Sequence, residues 1–249
     1  MTIWAIADLH LSFGVPNKQM DIFGPQWKNY TEKIEKHWKE LVQPEDLVLI
    51  AGDISWAMHP EDAKPDFDWI HQLPGTKFLI KGNHDYWWGS ASKLKPIIPA
   101  SCKLIHNNSL MWNDVCVGGT RLWDVPGLNF EDIIDYKERD NKAQKSGHLD
   151  PVEAIKLYQK ELIRLETSLK SMSPQAKKRI AMIHYPPIGA RLEETEVSRL
   201  LETYRIDICV FGHLHNVKPG LKLFGTHNGV TYHLTACDYL PDFKPLQIL

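Results

Sequence analysis

Seven side chains of three types recur at one kind of place in this chain. Asp8 and His10 end the run IWAIADLH, Asp53 closes LVLIAGD, Asn83 stands in FLIKGNHD, His184 closes RIAMIH, and His213 and His215 end ICVFGHLH. Together they offer imidazole nitrogens, carboxylates and one amide oxygen, with no thiolate, a donor set for borderline or hard divalent cations such as manganese, iron or zinc. Seven ligands are too many for one tetrahedral ion. Two ions sharing a bridging carboxylate use them all and leave positions open for water. Their charge exceeds that of Asp8, Asp53 and a bridging hydroxide, so such a centre stays positive and holds a phosphoryl group. The bridging hydroxide is then the nucleophile for in-line attack at phosphorus, and no Ser or Cys nucleophile is required. His84, directly after Asn83, is placed to stabilise developing charge or to protonate the leaving oxygen, with Asp85 placed to hold its ring.

The elements that must position these groups are short. Each of the five apolar runs suits a buried strand that delivers chemistry at its carboxyl end, and in a sheet of parallel strands those ends meet in one crevice. Between the first two runs, Trp27, Tyr30, Ile34, Trp38, Leu41 and Val42 recur at helical spacing until Pro44. A second helical stretch near Glu61 to Leu73 leads through Pro74-Gly75 into the third run, and strand, helix, strand implies a parallel sheet. Past Ala100 the pattern changes. Ser109 to Trp112 and Val115 to Gly119 flank Asn113-Asp114, and Leu221 to Phe224 and Val230 to Thr235 flank His227-Asn228-Gly229, which predicts hairpins and antiparallel strands. A mixed, two-sheet core with helices outside accommodates both halves. Between them, Phe130 to Ser146 is a charged, solvated excursion. Asp150, Pro151 and Glu153 then supply a cap, a first-turn proline and a capping-box acid for a helix whose apolar face runs through Ile155, Tyr158, Leu162, Leu165, Leu169 and Met172. The chain reads as one domain over 1–249, with an excursion at about 122–172.

Composition narrows the partners. A net charge of −2 over 249 residues gives no global attraction to nucleic acid or an anionic membrane, so anion binding has to be local. With no basic leader followed by an apolar core, and no apolar run long enough to span a bilayer, a cytoplasmic protein is expected. Cys102, Cys116, Cys209 and Cys237 lack CxxC spacing and are expected as buried apolar residues.

As a set, ADLH, GDIS, GNHD, IHYPP and GHLHN, in this order, resemble the motifs of calcineurin-like metallophosphoesterases. The resemblance runs from Asp8 to His215 and implies an α/β fold, a four-layer α-β-β-α sandwich of two mixed sheets flanked by helices, around a dinuclear centre. Carried over position by position, it implies that Asp8, His10, Asp53 and His215 hold one ion and Asp53, Asn83, His184 and His213 the other, with Asp53 bridging and His84 as the catalytic histidine. The departures are also informative. Trp56 of GDISWA stands where many members carry an acid, and no Arg-Gly follows, which sets the chain apart from the protein Ser/Thr phosphatase branch and beside small bacterial-type phosphoesterases. The expected function is hydrolysis of a small phosphodiester or phosphomonoester. A nuclease of the same family and a non-catalytic binding scaffold are the alternatives, the first lacking a basic stripe and the second at odds with a complete ligand set.

The substrate rim leaves two readings open. Trp56, Trp87, Trp88 and Trp123 fall in or just after loops near the centre, either as an aromatic wall for a nucleobase or apolar leaving group, or as loop packing. Arg121 pairs with a phosphate or with the acidic segment near Glu131. Tyr185, next to His184, contacts a phosphate oxygen or a neighbouring loop. His148, in the excursion, is a candidate lid residue.

Overall fold

The computed structural model describes residues 1–135 and 150–249. Among them, eleven strands form two mixed sheets. The first has the order β11-β1-β2-β3-β4 and consists of β1 (Ile3–Ile6), β2 (Leu47–Ile50), β3 (Thr76–Leu79), β4 (Cys102–Leu104) and β11 (Leu246–Gln247). The second has the order β5-β6-β7-β8-β10-β9 and consists of β5 (Ser109–Trp112), β6 (Val115–Thr120), β7 (Lys178–Ile183), β8 (Ile208–Phe211), β9 (Gly225–His227) and β10 (Val230–Leu234). β1 through β4 run parallel, as do β6, β7, β8 and β10. Antiparallel pairing is confined to β11 on β1, β5 on β6 and β9 on β10. The expectation of an antiparallel second half therefore holds only at the sheet edges. The late hairpin also starts later than its apolar run suggested: Leu221 and Leu223 precede the strand, which pairs Gly225–His227 with Val230–Tyr232 around Asn228-Gly229.

Period-two alternation sorts the strand residues into layers. Ile3 and Ala5 of β1, Leu47 and Leu49 of β2, Ile180 and Met182 of β7, and Ile208 and Val210 of β8 meet in one cluster between the sheets. Their neighbours Trp4, Ile6, Val48 and Ile50 face α1 (Tyr30–Leu41) and α2 (Pro60–Gln72), where Ile34, Trp38, Phe67 and Ile70 cover them. On the far side, Ala181, Ile183, Cys209 and Phe211 face the helices that follow β6 and β7 in the chain. A further single-turn helix, α3 (Ala91–Leu94), lies after the GNHD loop. The result is the four-layer α-β-β-α sandwich.

The helix opening at Asp150 is α4 (Pro151–Lys170), with the Asp150 carboxylate accepting from the Val152 N–H at 2.9 Å and Pro151 at the first position. Its buried face carries Tyr158, Leu165 and Leu169 together with two polar residues, Glu161 and Ser168, whereas Ile155 is exposed. The last helix is α5 (Glu196–Thr203), opened by a capping box between Thr195 and Ser198. All four cysteines are free and buried. Most of the charged excursion, with His148, lies outside the described residues. Among the described residues, no helix is long and apolar enough to cross a membrane.

Candidate active site

Every predicted ligand sits just past the carboxyl end of a parallel strand. Asp8 and His10 follow β1, Asp53 follows β2, Asn83 follows β3, His184 follows β7, and His213 and His215 follow β8. The two sheets are joined there by chain separated widely in sequence. The N–H of Ala7 donates to the Thr235 carbonyl at 2.7 Å and that of Cys237 to the Ala7 carbonyl at 3.0 Å, so the chain after β10 runs beside β1.

The backbone is forced at these turns. Asp8 (φ 58°), His10 (φ 45°), Asp53 (φ 52°) and His213 (φ 72°) all adopt left-handed conformations, which are uncommon for residues with a Cβ and concentrate where surrounding structure holds a functional side chain in place. The motif glycines have a steric reason at three positions. A Cβ on Gly52 (φ 92°) would crowd the His184 ring and Gly82. A Cβ on Gly82 would overlap the Asp53 carboxylate and backbone, and one on Gly212 would overlap the Asp8 carboxylate.

The seven side chains converge. His184 Nε2 lies 2.7 Å and His213 Nδ1 3.0 Å from the same Asn83 Oδ1. Asp53 Oδ2 is 3.4 Å from His184 Nε2 and 3.7 Å from His10 Nε2, so it stands between the two groups of ligands. His10 Nε2 faces His215 Nε2 at 3.1 Å, and His215 Nε2 is 3.7 Å from Asp8 Oδ1. Ligand atoms of Asp8, His10 and His215 lie within 4.8 Å of one another, as do those of Asp8, Asp53 and His184. Two carboxylates and an amide oxygen, each approached by imidazole nitrogens, fit divalent cations. Among the described residues, His10 Nδ1 is buried without a hydrogen-bond partner.

Electrostatics of the protein alone shows where protons stand in for that charge. Burial opposes the charged form of His215, but Asp238, Asp8 and Asp53 overcome it and lift the ring to about 10. Burial likewise opposes His184, and Asp53 and Asp8 lift it to about 9. Burial pushes the Asp8 carboxyl up to about 7 against the pull of His215 and His184. His10 and His213 are held well below the ordinary value by burial, so they present neutral nitrogens.

His84 borders this cluster. Its backbone N–H donates to Asp53 Oδ1 at 2.8 Å, and its ring, lowered in basicity by burial, packs against Trp56 with centroids 4.6 Å apart. The position expected to orient that ring has other partners. Asp85 accepts from the N–H groups of Ile54 and Ser55, from Gly82 N at 2.7 Å and from the Trp87 indole, so it ties the GDIS and GNHD loops together and fixes His84 through the backbone. Trp87 is buried against Phe67 and packs the core. Trp56 stacks on His10 at 4.8 Å and 22° and, with Trp27, Phe23 and Met20, walls a cavity of about 250 Å³ that opens onto His10, His84 and His215.

Residues 1–217 match the family model for calcineurin-like phosphoesterases. The chain belongs to the calcineurin-like phosphoesterase family. Two Gene 66 proteins, of Mycobacterium phages D29 and L5, are 34% and 33% identical over 86 and 89 residues, in each case 33% of this chain. Those alignments span 40% and 39% of the phage proteins' own length. The phosphopantetheinyl hydrolase PptH of Mycobacterium tuberculosis shares the fold, with a TM-score of 0.62 at 14% identity over 100% of this chain and 95% of that one.

Several features of this phosphoesterase centre escaped the motif reading. Asp238 Oδ1 lies 2.8 Å from His215 Nδ1, and its other oxygen accepts from Asn216 N at 2.9 Å, the carboxylate–histidine pairing usual behind a metal ligand. The run VTYHLTACD ends in an acid like the others, and that was the available signal. Trp27 belongs to the cavity wall and lies edge-on to His215, although helical spacing had grouped it with the core stripe. Arg121 pairs with Glu161 of α4 at 3.3 Å, neither with the segment near Glu131 nor with the ligand cluster, and its guanidinium lies 4.9 Å from the Trp123 ring centre. Tyr185 packs between Trp123 (5.2 Å) and His213 (4.0 Å).

Proposed function

We propose that this chain is a dinuclear, metal-dependent phosphoric ester hydrolase whose substrate is a small phosphate ester bearing an apolar or aromatic group. The convergence of Asp8, His10, Asp53, Asn83, His184, His213 and His215 beside His84 and an aromatic cavity carries this reading. Asp8, His10, Asp53 and His215 are assigned to one ion and Asp53, Asn83, His184 and His213 to the other, with manganese, iron or zinc matching the donors. Bound divalent cations would supply positive charge for phosphoryl oxygens and lower the pKa of water toward neutrality.

The chain's own residues do the rest. Asp238 holds the His215 ring in one orientation and tautomer. His84, neutral at neutral pH, presents an N–H to a phosphoryl or leaving oxygen, and Asp53 and Asp85 hold the loop that carries it. Trp56 clamps the His10 and His84 rings from one side and forms, with Trp27 and Phe23, the surface on which an apolar ester group rests and water is excluded. Tyr185 and Trp123 support His213 from the opposite side.

The test is a rate comparison with added manganese on bis(p-nitrophenyl) phosphate and p-nitrophenyl phosphate. Preference for the diester is expected, because the cavity beside the proposed ligands is walled by Trp27, Trp56 and Phe23, which suit an apolar ester group better than a second phosphoryl charge. Failure to hydrolyse either ester with manganese, iron or zinc would overturn the assignment.

A further inference from the structure

A second cavity, of about 230 Å³, opens at the same end of the sheets, where Lys81 follows β3, Ile105 follows β4 and Arg121 follows β6, with α4 as its outer wall. Its charge does not balance. One buried carboxylate, Glu161, accepts from the Thr120 hydroxyl at 3.0 Å, from Arg121 at 3.3 Å and from Arg164 at 2.5 Å. Both guanidinium groups reach the same oxygen, Oε1, and each has five N–H donors, so most remain uncommitted. Lys81 is half-buried, and among the described residues its ammonium has no hydrogen-bond or ion-pair partner. The Asp85 carboxylate beyond it is already taken up by the Ile54, Ser55 and Gly82 N–H groups and the Trp87 indole.

One carboxylate needs one guanidinium. Three cations around it leave an excess of two positive charges in a partly desolvated hollow, a cost that a bound anion relieves. The mixture also suits phosphate, since guanidinium groups bind its oxygens through paired N–H donors and ammonium acts as a point charge.

The hollow is tied to the candidate active site through the backbone. Lys81 is two residues before Asn83, and the Arg121 carbonyl accepts from the N–H groups of both His184 and Tyr185, at 3.2 and 3.1 Å. One to two strand spacings, about 5–10 Å, separate it from the ligand cluster.

We propose that Lys81, Arg121 and Arg164 form an anion subsite, and that the substrate carries a second phosphate-like group joined to the cleaved ester by a short spacer. This rests on the phosphoesterase reading above.

The test uses the full chain loaded with manganese and whichever p-nitrophenyl ester it hydrolyses. Inhibition by alkyl monophosphates is compared with inhibition by α,ω-alkanediol bisphosphates from propane to octane. At one spacer length the bisphosphate is expected to inhibit about tenfold more tightly or better, well beyond the roughly twofold advantage of having two equivalent ends. Lys81→Met and, independently, Arg164→Gln on the outer helix should each reduce that ratio by about fivefold or more. A ratio near two at every length, or variants that weaken both inhibitors equally, would overturn the subsite while leaving the phosphoesterase reading intact. Absence of turnover of either reporter ester by the wild-type protein would sink that reading and the subsite together.

Discussion

Asp238 Oδ1 and His215 Nδ1 are 2.8 Å apart, joining a residue after β10 to the last histidine of the cluster after β8. The contact leaves His215 Nε2 free to face Asp8 and His10. Asp238→Asn keeps the shape but removes the charge that makes the ring a strong donor. Manganese affinity, measured by titration of chelated protein, is expected to fall about 10- to 100-fold, with kcat at saturating metal less affected.

On the proposed assignment, protons and metal ions compete for the same side chains. His184 at about 9 and His215 at about 10 stand above the ordinary 6.5, and Asp8 at about 7 stands above 3.8. A group whose pKa is raised by folding contributes stability that is complete below its unfolded pKa and is lost as pH rises through the folded value. The metal-stripped protein should therefore lose the Asp8 contribution between about pH 4 and 7 and those of His184 and His215 between about pH 7 and 10, while metal affinity rises as these protons are displaced. Thermal midpoints of chelated protein, together with proton release on adding manganese in weak buffer, check both. A midpoint that climbs through the upper of these windows, or binding without proton release, contradicts the account.

A Cβ on Gly212 would stand 2.3 Å from Asp8 Oδ2 and 2.7 Å from the Ala7 Cβ. Gly212→Ala is expected to fold, since its φ is not in the left-handed region, but to displace Asp8 and weaken metal binding by roughly tenfold or more. Circular dichroism like the wild type with unchanged affinity would show that Asp8 has room to move.

Most of the site was legible because a parallel sheet converts a local signal into a spatial one. A run that is apolar on both faces and ends in Asp, Asn or His announces both the strand and the side chain delivered at its carboxyl end, and Asp8, Asp53, Asn83, His184 and His213 all fit. Asp238 carried the same signal but was hidden by the reading of Val230 to Thr235 as one arm of an antiparallel hairpin. That arm also pairs in parallel with β8, which aims its carboxyl end at the site. Partner choice was less legible. Asp85 follows His84 in sequence, yet its oxygens meet three backbone N–H groups and an indole, because a buried carboxylate goes where donors are unmet. Arg121 found Glu161 across 40 residues, a pairing set by how α4 packs on β6.

Trp56 stacks on His10 and walls the cavity beside His84. Trp56→Ala should raise KM for bis(p-nitrophenyl) phosphate several-fold through lost aromatic contact, with a smaller drop in kcat as His10 and His84 lose their brace. An unchanged KM would remove the aromatic cavity from the substrate's path.

The central claim is tested most directly by stripping the protein of metal, adding manganese back, and following hydrolysis of bis(p-nitrophenyl) phosphate by wild type, Asn83→Ala and His84→Ala. The account predicts no turnover in chelator and recovery in the wild type. It predicts loss of manganese binding and of activity in Asn83→Ala, and near-normal metal content with a rate about 10²- to 10⁴-fold lower in His84→Ala. Turnover that persists in chelator, or survives Asn83→Ala undiminished, would contradict it.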